Sequence, residues 1–118
     1  MELEKEIQRY SKLNGYPIDV YEPVVCSCGC SELQLYSDDD EGGAIALCTE
    51  CGSEIDIENS KSYMEDPVQN LCRCDNDRLK LGVGKSYYSD SREVRWVYVG
   101  AHCGKCNLFG VYVDWKET

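Results

Sequence analysis

Nine cysteines cluster at four places in this 118-residue chain. They are Cys26, Cys28 and Cys30; Cys48 and Cys51; Cys72 and Cys74; and Cys103 and Cys106. Closely paired thiolates are what a tetrahedral, sulfur-seeking ion takes as ligands, four of them at about 2.3 Å for zinc. The competing chemistry is disulfide formation. The residues Met1 to Glu6 are charged from the second position and lack the apolar stretch of a secretory signal. No segment approaches the roughly 20 apolar residues of a membrane span. A cytoplasmic protein without membrane attachment is therefore expected, in a compartment where thiols stay reduced and clustered cysteines bind metal. The odd cysteine count also fits poorly with a closed disulfide framework.

The clusters belong to an internal repeat. Cys26-Ser27-Cys28 and the following Leu33 and Leu35 match Cys72-Arg73-Cys74 with Leu79 and Leu81 at an offset of 46. Ala46-Leu47-Cys48-Thr49-Glu50-Cys51 matches Ala101-His102-Cys103-Gly104-Lys105-Cys106 at an offset of 55, so the second copy has nine more residues between its cysteine pairs.

The elements that must position these sulfurs follow from alternation and turn residues. Leu33 and Leu35, and in the second copy Leu79, Leu81 and Val83, mark a strand leaving the first pair. Turns follow at Ser37–Gly43 and Ser89–Arg92. Return strands at Ala44–Leu47 and Glu93–Val99 lead into the second pair, and third strands are expected at Glu54–Ile57 and Leu108–Val113. Cysteines at both ends of an antiparallel hairpin approach one another in space. Leu3, Ile7, Tyr10 and Leu13 recur at helical spacing before Asn14-Gly15, a helix stop.

This arrangement resembles the zinc-ribbon family, with its rubredoxin-like knuckles, over 26–58 and 72–115. The resemblance implies a small, metal-stabilised, β-rich fold: two tandem ribbons, each an antiparallel β-hairpin plus a third strand, with a short N-terminal α-helix. The expected organisation is a helix and extended connector over 1–25, a first ribbon over 26–58, a linker over 59–71 and a second ribbon over 72–118. Two structural Zn2+ ions are implied, and iron is the alternative, because a shell of four sulfurs accepts either.

The second repeat supplies four candidate ligands, Cys72, Cys74, Cys103 and Cys106. The first supplies five. The offset selects Cys26, Cys28, Cys48 and Cys51, and aligns Cys30 with Asn76. The usual ribbon has C-x-x-C at both ends, whereas the leading pairs here are C-x-C. That departure predicts a tighter first knuckle, and it leaves open a role for Cys30 in place of Cys26 or Cys28. Gly29 and Gly52 occupy the turn positions of the first copy. Their counterparts Asp75 and Asn107 also tolerate positive φ.

Four thiolates close the coordination shell, and a catalytic zinc needs an open position for water. No enzyme activity is expected. His102 reads as a surface residue on its knuckle. Cys48-Thr49-Glu50-Cys51 lacks the helix N-terminus that would make a redox thiol reactive. Gly82-Val83-Gly84-Lys85-Ser86 lacks the length and following helix of a phosphate loop.

The net charge is −10. It resides in the first half, where residues 1–59 hold 14 acids against 3 bases, while residues 60–118 hold 8 against 9. Such a surface repels phosphates and disfavours direct nucleic-acid binding. It suits a basic protein partner. Candidate contact residues are the acidic hairpin tip, Asp38, Asp39, Asp40 and Glu41, and the aromatic-basic strand of Arg92, Arg95, Trp96 and Tyr98. Alternation along that strand places Val94, Trp96 and Tyr98 on one face and Arg95, Val97 and Val99 on the other. The expected function is non-catalytic zinc binding that supports protein–protein association, as in an acidic inhibitor or immunity-type protein. The alternative is a zinc-ribbon accessory module of the transcription or translation machinery.

Overall fold

The computed structural model describes residues 2–117. The chain opens with helix α1 (Glu2–Leu13), followed by strands β1 (Val20–Val24), β2 (Gln34–Asp38), β3 (Gly43–Leu47) and β4 (Glu54–Ile57). After a 3₁₀ turn (Lys61–Tyr63) come β5 (Val68–Asn70), β6 (Lys80–Tyr87), β7 (Val94–His102) and β8 (Phe109–Lys116). The strands form two four-stranded antiparallel sheets, ordered β1-β6-β7-β8 and β4-β3-β2-β5. The expected β-rich fold with one short helix is therefore present. In the second copy the return strand and third strand run longer than their alternation predicts, to His102 and Lys116.

Each repeat contributes a hairpin and a third strand to one sheet: β2-β3-β4 in the first, β6-β7-β8 in the second. The fourth strand comes from the other repeat. β1, which precedes Cys26, pairs with β6, with Val24 opposite Leu81 and Glu22 opposite Val83. β5, which precedes Cys72, pairs with β2, with Asn70 opposite Leu35 and Val68 opposite Ser37. These partners are related by the repeat offset of 46, so the two halves exchange equivalent strands. β1 lies in the segment read as a connector and β5 in the segment read as a linker. Both are edge strands, the place where a sheet tolerates Pro23.

The inward faces of the two sheets share one core, including Leu33, Leu35, Ala46 and Ile57 from the first repeat and Leu79, Leu81, Val97, Val99 and Trp115 from the second. A half-chain of roughly 50 residues is near the lower limit for an independent apolar core. Pooling two halves relieves that limit.

Helix α1 covers the outer face of β6, β7 and β8. Its Leu3 and Ile7 pack with Tyr98 in a second cluster. Glycines let it approach: a Cβ on Gly84 would stand 2.7 Å from Ile7, and one on Gly100 would stand 2.8 Å from the same side chain. The helix ends at Leu13, and Gly15 takes φ 87°. Leu13 itself is 76% exposed despite its apolar spacing. The buried position is Ser11, whose hydroxyl donates to the Gln8 carbonyl and accepts the Ile18 N–H.

One face assignment changes in β7. Ser86 opposes Trp96 and Tyr87 opposes Val94, so Arg95 is an extra residue in a β-bulge. The bulge turns Val94 toward the shared core and leaves Arg95 on the helix side beside Trp96. There the Arg95 guanidinium lies 4.5 Å from the Tyr16 ring centroid, and Tyr16 stacks on Trp96 at 4.8 Å.

Candidate metal centres

The sulfurs are presented by four short knuckles, and their main-chain hydrogen bonds match in pairs. In the leading knuckles, Gly29 N–H donates to the Cys26 carbonyl at 2.8 Å and Asp75 N–H to the Cys72 carbonyl at 2.8 Å. Cys26 N–H donates to the Cys30 carbonyl, as Cys72 N–H does to that of Asn76. In the closing knuckles, Gly52 N–H donates to the Cys48 carbonyl at 2.8 Å and Asn107 N–H to the Cys103 carbonyl at 2.9 Å. The C-x-C knuckle thus closes a loop one residue shorter than the C-x-x-C knuckle, the tightening its spacing predicts. Gly29, Gly52, Asp75 and Asn107 all adopt positive φ, at 94°, 76°, 68° and 63°. These conformations suit glycine, asparagine and aspartate.

The knuckles bring together Cys26, Cys28, Cys48 and Cys51 in one group, and Cys72, Cys74, Cys103 and Cys106 in another. Within each group every sulfur lies within 4.8 Å of the others. The closest contacts repeat as well. Cys26–Cys51 is 3.3 Å and Cys28–Cys48 is 3.6 Å in the first group. Cys72–Cys106 is 3.2 Å and Cys74–Cys103 is 3.5 Å in the second. All nine cysteines are free thiols, and these distances are far beyond the S–S bond of about 2.05 Å. A tetrahedral ion with bonds of about 2.3 Å sets its sulfurs about 3.8 Å apart, so each group needs only small shifts to close on one. Both groups fit a metal ion, and four sulfurs leave no coordination position for substrate or water. The arrangement is a non-catalytic metal-binding module.

In each group one leading and one closing cysteine are buried, Cys26 and Cys48 or Cys72 and Cys103, and join the shared core. The other two are exposed. Without metal the four sulfurs compete for protons. Hydrogen bonding with Ser53 brings Cys51 down to about 6, and a hydrogen bond from Asn76 brings Cys103 down to about 6. Cys106 is pushed up to about 12, first by its contact with Cys72. The Cys30 main chain pulls on Cys28, but Cys26, Cys48 and Cys51 outweigh it and push Cys28 up to about 12.

Cys30 stands outside the first group, and its thiol donates to the Glu32 carbonyl at 3.2 Å. Its counterpart Asn76 bonds the equivalent carbonyl, that of Arg78, at 2.9 Å. Asn76 also donates to Cys103 Sγ at 3.3 Å. Neither Asn76 nor Ser53, whose Oγ lies 3.2 Å from Cys51 Sγ, was apparent from sequence. The alignment of Asn76 with a cysteine was the available signal. His102 lies outside both groups, stacked on Phe109 at 4.1 Å and bonded through Nε2 to the Asn107 side chain.

The candidate partner residues divide. Asp39, Asp40, Glu41 and Arg92 are exposed. Asp38 is buried instead: Oδ1 accepts the N–H groups of Asp40 and Glu41, and Oδ2 those of Glu65 and Asp66. Those bonds hold its carboxyl below the usual carboxylate range, the Glu65 N–H foremost. Tyr98 is fully buried beneath α1, its hydroxyl donating to the Tyr16 carbonyl. Trp96 and Arg95 are half-buried in the stack with Tyr16. Asp38 and Tyr98 are therefore buried, with their polar groups engaged inside the fold.

Among the described residues, no helix is long and apolar enough to cross a membrane. Comparisons with protein families, with curated proteins and with solved structures match nothing to this chain.

Proposed function

We propose that this chain is a zinc-binding protein of the zinc-ribbon type, with two structural ions, that acts in the cytoplasm by binding a basic protein partner. The observation that carries the zinc reading is the two closed four-cysteine groups on matched knuckles. Thiolates favour zinc over magnesium, calcium or manganese, and the knuckle hydrogen bonds orient the sulfurs toward a common point. The partner reading draws on charge. Asp38 ties the hairpin tip to the loop at Glu65 and Asp66, which gathers Asp39, Asp40, Glu41, Glu65 and Asp66 as exposed acids in one region. Such a region steers a cationic partner toward it and sets a salt-sensitive association rate. An inhibitor or immunity role toward an enzyme with a basic active site is the concrete form of this reading.

Metal analysis of the purified protein tests the first half, with two zinc ions per chain expected. Capture from host lysate at low and at high salt tests the second. A basic protein retained by the native chain and lost with Asp39→Lys, Asp40→Lys and Glu41→Lys together supports the proposal. Equal capture by both chains would remove the acidic tip from it. Recovery of polymerase or ribosomal proteins would favour an accessory module, a role to which the exposed Arg73 and Lys105 of the second centre's knuckles are suited.

A further inference from the structure

The two centres share a backbone but differ around their buried sulfurs. Cys103 in the second centre and Cys48 in the first are matched residues, 1% and 0% exposed. Each begins its C-x-x-C knuckle and closes the same main-chain turn. Cys103 receives in addition the side-chain amide of Asn76, at 3.3 Å. Cys48 has Cys30 in that place, and the Cys30 thiol donates to the Glu32 carbonyl. We infer that the centres hold metal unequally: Cys72, Cys74, Cys103 and Cys106 form a permanent zinc site, and Cys26, Cys28, Cys48 and Cys51 form an exchangeable one. This rests on the zinc reading proposed above.

The physical reason is the treatment of a buried thiolate. Four thiolates around one divalent ion leave a net charge of −2, which must be dispersed over neighbouring donors. An N–H donor at a sulfur hidden from water contributes strongly, because no solvent molecule replaces it when it is absent. The first centre has a side-chain partner at Cys51, the Ser53 hydroxyl, which accepts from the thiol at 3.2 Å and can turn to donate once that sulfur is a thiolate. Both of those residues are exposed, so water supplies the same hydrogen bond when the hydroxyl is missing. The donor at Cys103 has no such substitute.

Charge on the knuckles acts in the same direction. The residues between the paired sulfurs are Arg73, Gly104 and Lys105 in the second centre, and Ser27, Thr49 and Glu50 in the first. Glu32 reaches over the second centre, its Oε2 3.5 Å from where a Gly104 Cβ would stand, which offsets one of the two cations. Asp75, next to Cys74, offsets the other, so the second centre's knuckles are near neutral while Glu50 leaves those of the first negative. These groups are exposed and screened by salt, so the Asn76 amide is the larger effect.

The test is an equilibrium titration of the two-zinc protein with an uncharged pyridyl chelator, which neither knuckle attracts. Outer-shell hydrogen bonds typically change metal affinity about 10- to 100-fold. The protein is expected to release one zinc per chain at about 10- to 100-fold lower free chelator than the other. Asn76→Leu should shift the tighter step toward the weaker one. Cys30→Asn, which places an amide beside Cys48, should shift the weaker step toward the tighter one, an improvement that a merely disruptive change would not produce. Should Asn76→Leu fail to fold, Cys30→Asn decides alone. Release of both ions in one step would overturn the inference, as would a separation unchanged by Cys30→Asn. A protein that binds no zinc even when zinc is supplied in excess would instead overturn the zinc reading itself, so the two failures are told apart.

Discussion

Leu33 and Leu79 exchange a pair of main-chain hydrogen bonds, each N–H donating to the other's carbonyl at 2.8 Å. The two residues are separated by the repeat offset of 46, so this bridge lies on a local twofold axis relating the halves of the chain. The exchanged strands β1 and β5 obey the same axis, as do the two cysteine groups. Gln34 reaches across it to the Asp77 carboxylate at 2.9 Å. The halves therefore meet as two subunits of a strand-exchanged dimer would, within one polypeptide.

Strand exchange predicts that neither half folds alone. Fragments 1–66 and 67–118 each lack the fourth strand of their sheet and half of the shared core. Each should give a poorly dispersed amide NMR spectrum with zinc present. Mixed in equal amounts with zinc, they should restore the spectrum of the intact chain. A well-dispersed spectrum from either fragment by itself would contradict the exchange.

The position of Cys30 predicts a division among the first repeat's thiols. Cys30→Ser should leave two zinc ions per chain, because its sulfur bonds a carbonyl outside the group. Cys28→Ser should leave one. Zinc analysis by mass spectrometry under non-denaturing conditions reads both, and the reverse result would show that Cys28 and Cys30 had exchanged roles.

Zinc loading should release protons, and affinity should rise with pH. In the metal-free state Cys51 and Cys103 fall to about 6, so both are largely thiolates at neutral pH. Cys28 and Cys106, raised to about 12, remain protonated. Zinc takes only the deprotonated form, so it must displace the protons of the raised thiols, while the lowered thiols have few to give. At pH 7 each site should release at least one proton and fewer than four, measured with a pH indicator in weak buffer. An affinity that is flat or falls between pH 6 and 8 would refute this account.

The glycines beneath α1 predict a packing defect without a metal defect. Gly84→Ala would bring a methyl group 2.7 Å from Ile7 and 2.8 Å from Ile18. Overpacking of this kind costs about 1–3 kcal/mol. Urea unfolding should show that loss with zinc content still at two ions per chain. A stability within about 0.5 kcal/mol of the native protein would mean that the helix is free to shift, since surface changes fall in that range.

Much of the candidate site was legible in the sequence because a knuckle is a local object. Its hydrogen bonds close over three or four residues, and Gly29, Asp75, Gly52 and Asn107 disclose the positive φ each turn requires. The hairpins were legible too, since alternation in Leu33-Gln34-Leu35 and Leu79-Lys80-Leu81 fixes which face is apolar. The bulge at Arg95 was not, because an extra residue leaves the pattern Val94-Arg95-Trp96-Val97 looking regular. The fate of Asp38 was also hidden. Among four consecutive acids, only the loop at Glu65 and Asp66 singles it out, by supplying two of the N–H groups that bury it.

The amino-acid order alone determined that eight of nine thiols stand in pairs, that the unit occurs twice, and that each copy folds back to bring its pairs together. Only the tertiary structure decided which half owns which strand. β1 and β5 present short extended segments whose hydrogen-bonding edges suit either sheet. The choice between them is made by distant partners, through the pooled core and the Leu33–Leu79 bridge. Pairings of that kind depend on the energy of the assembled whole, which no local pattern encodes.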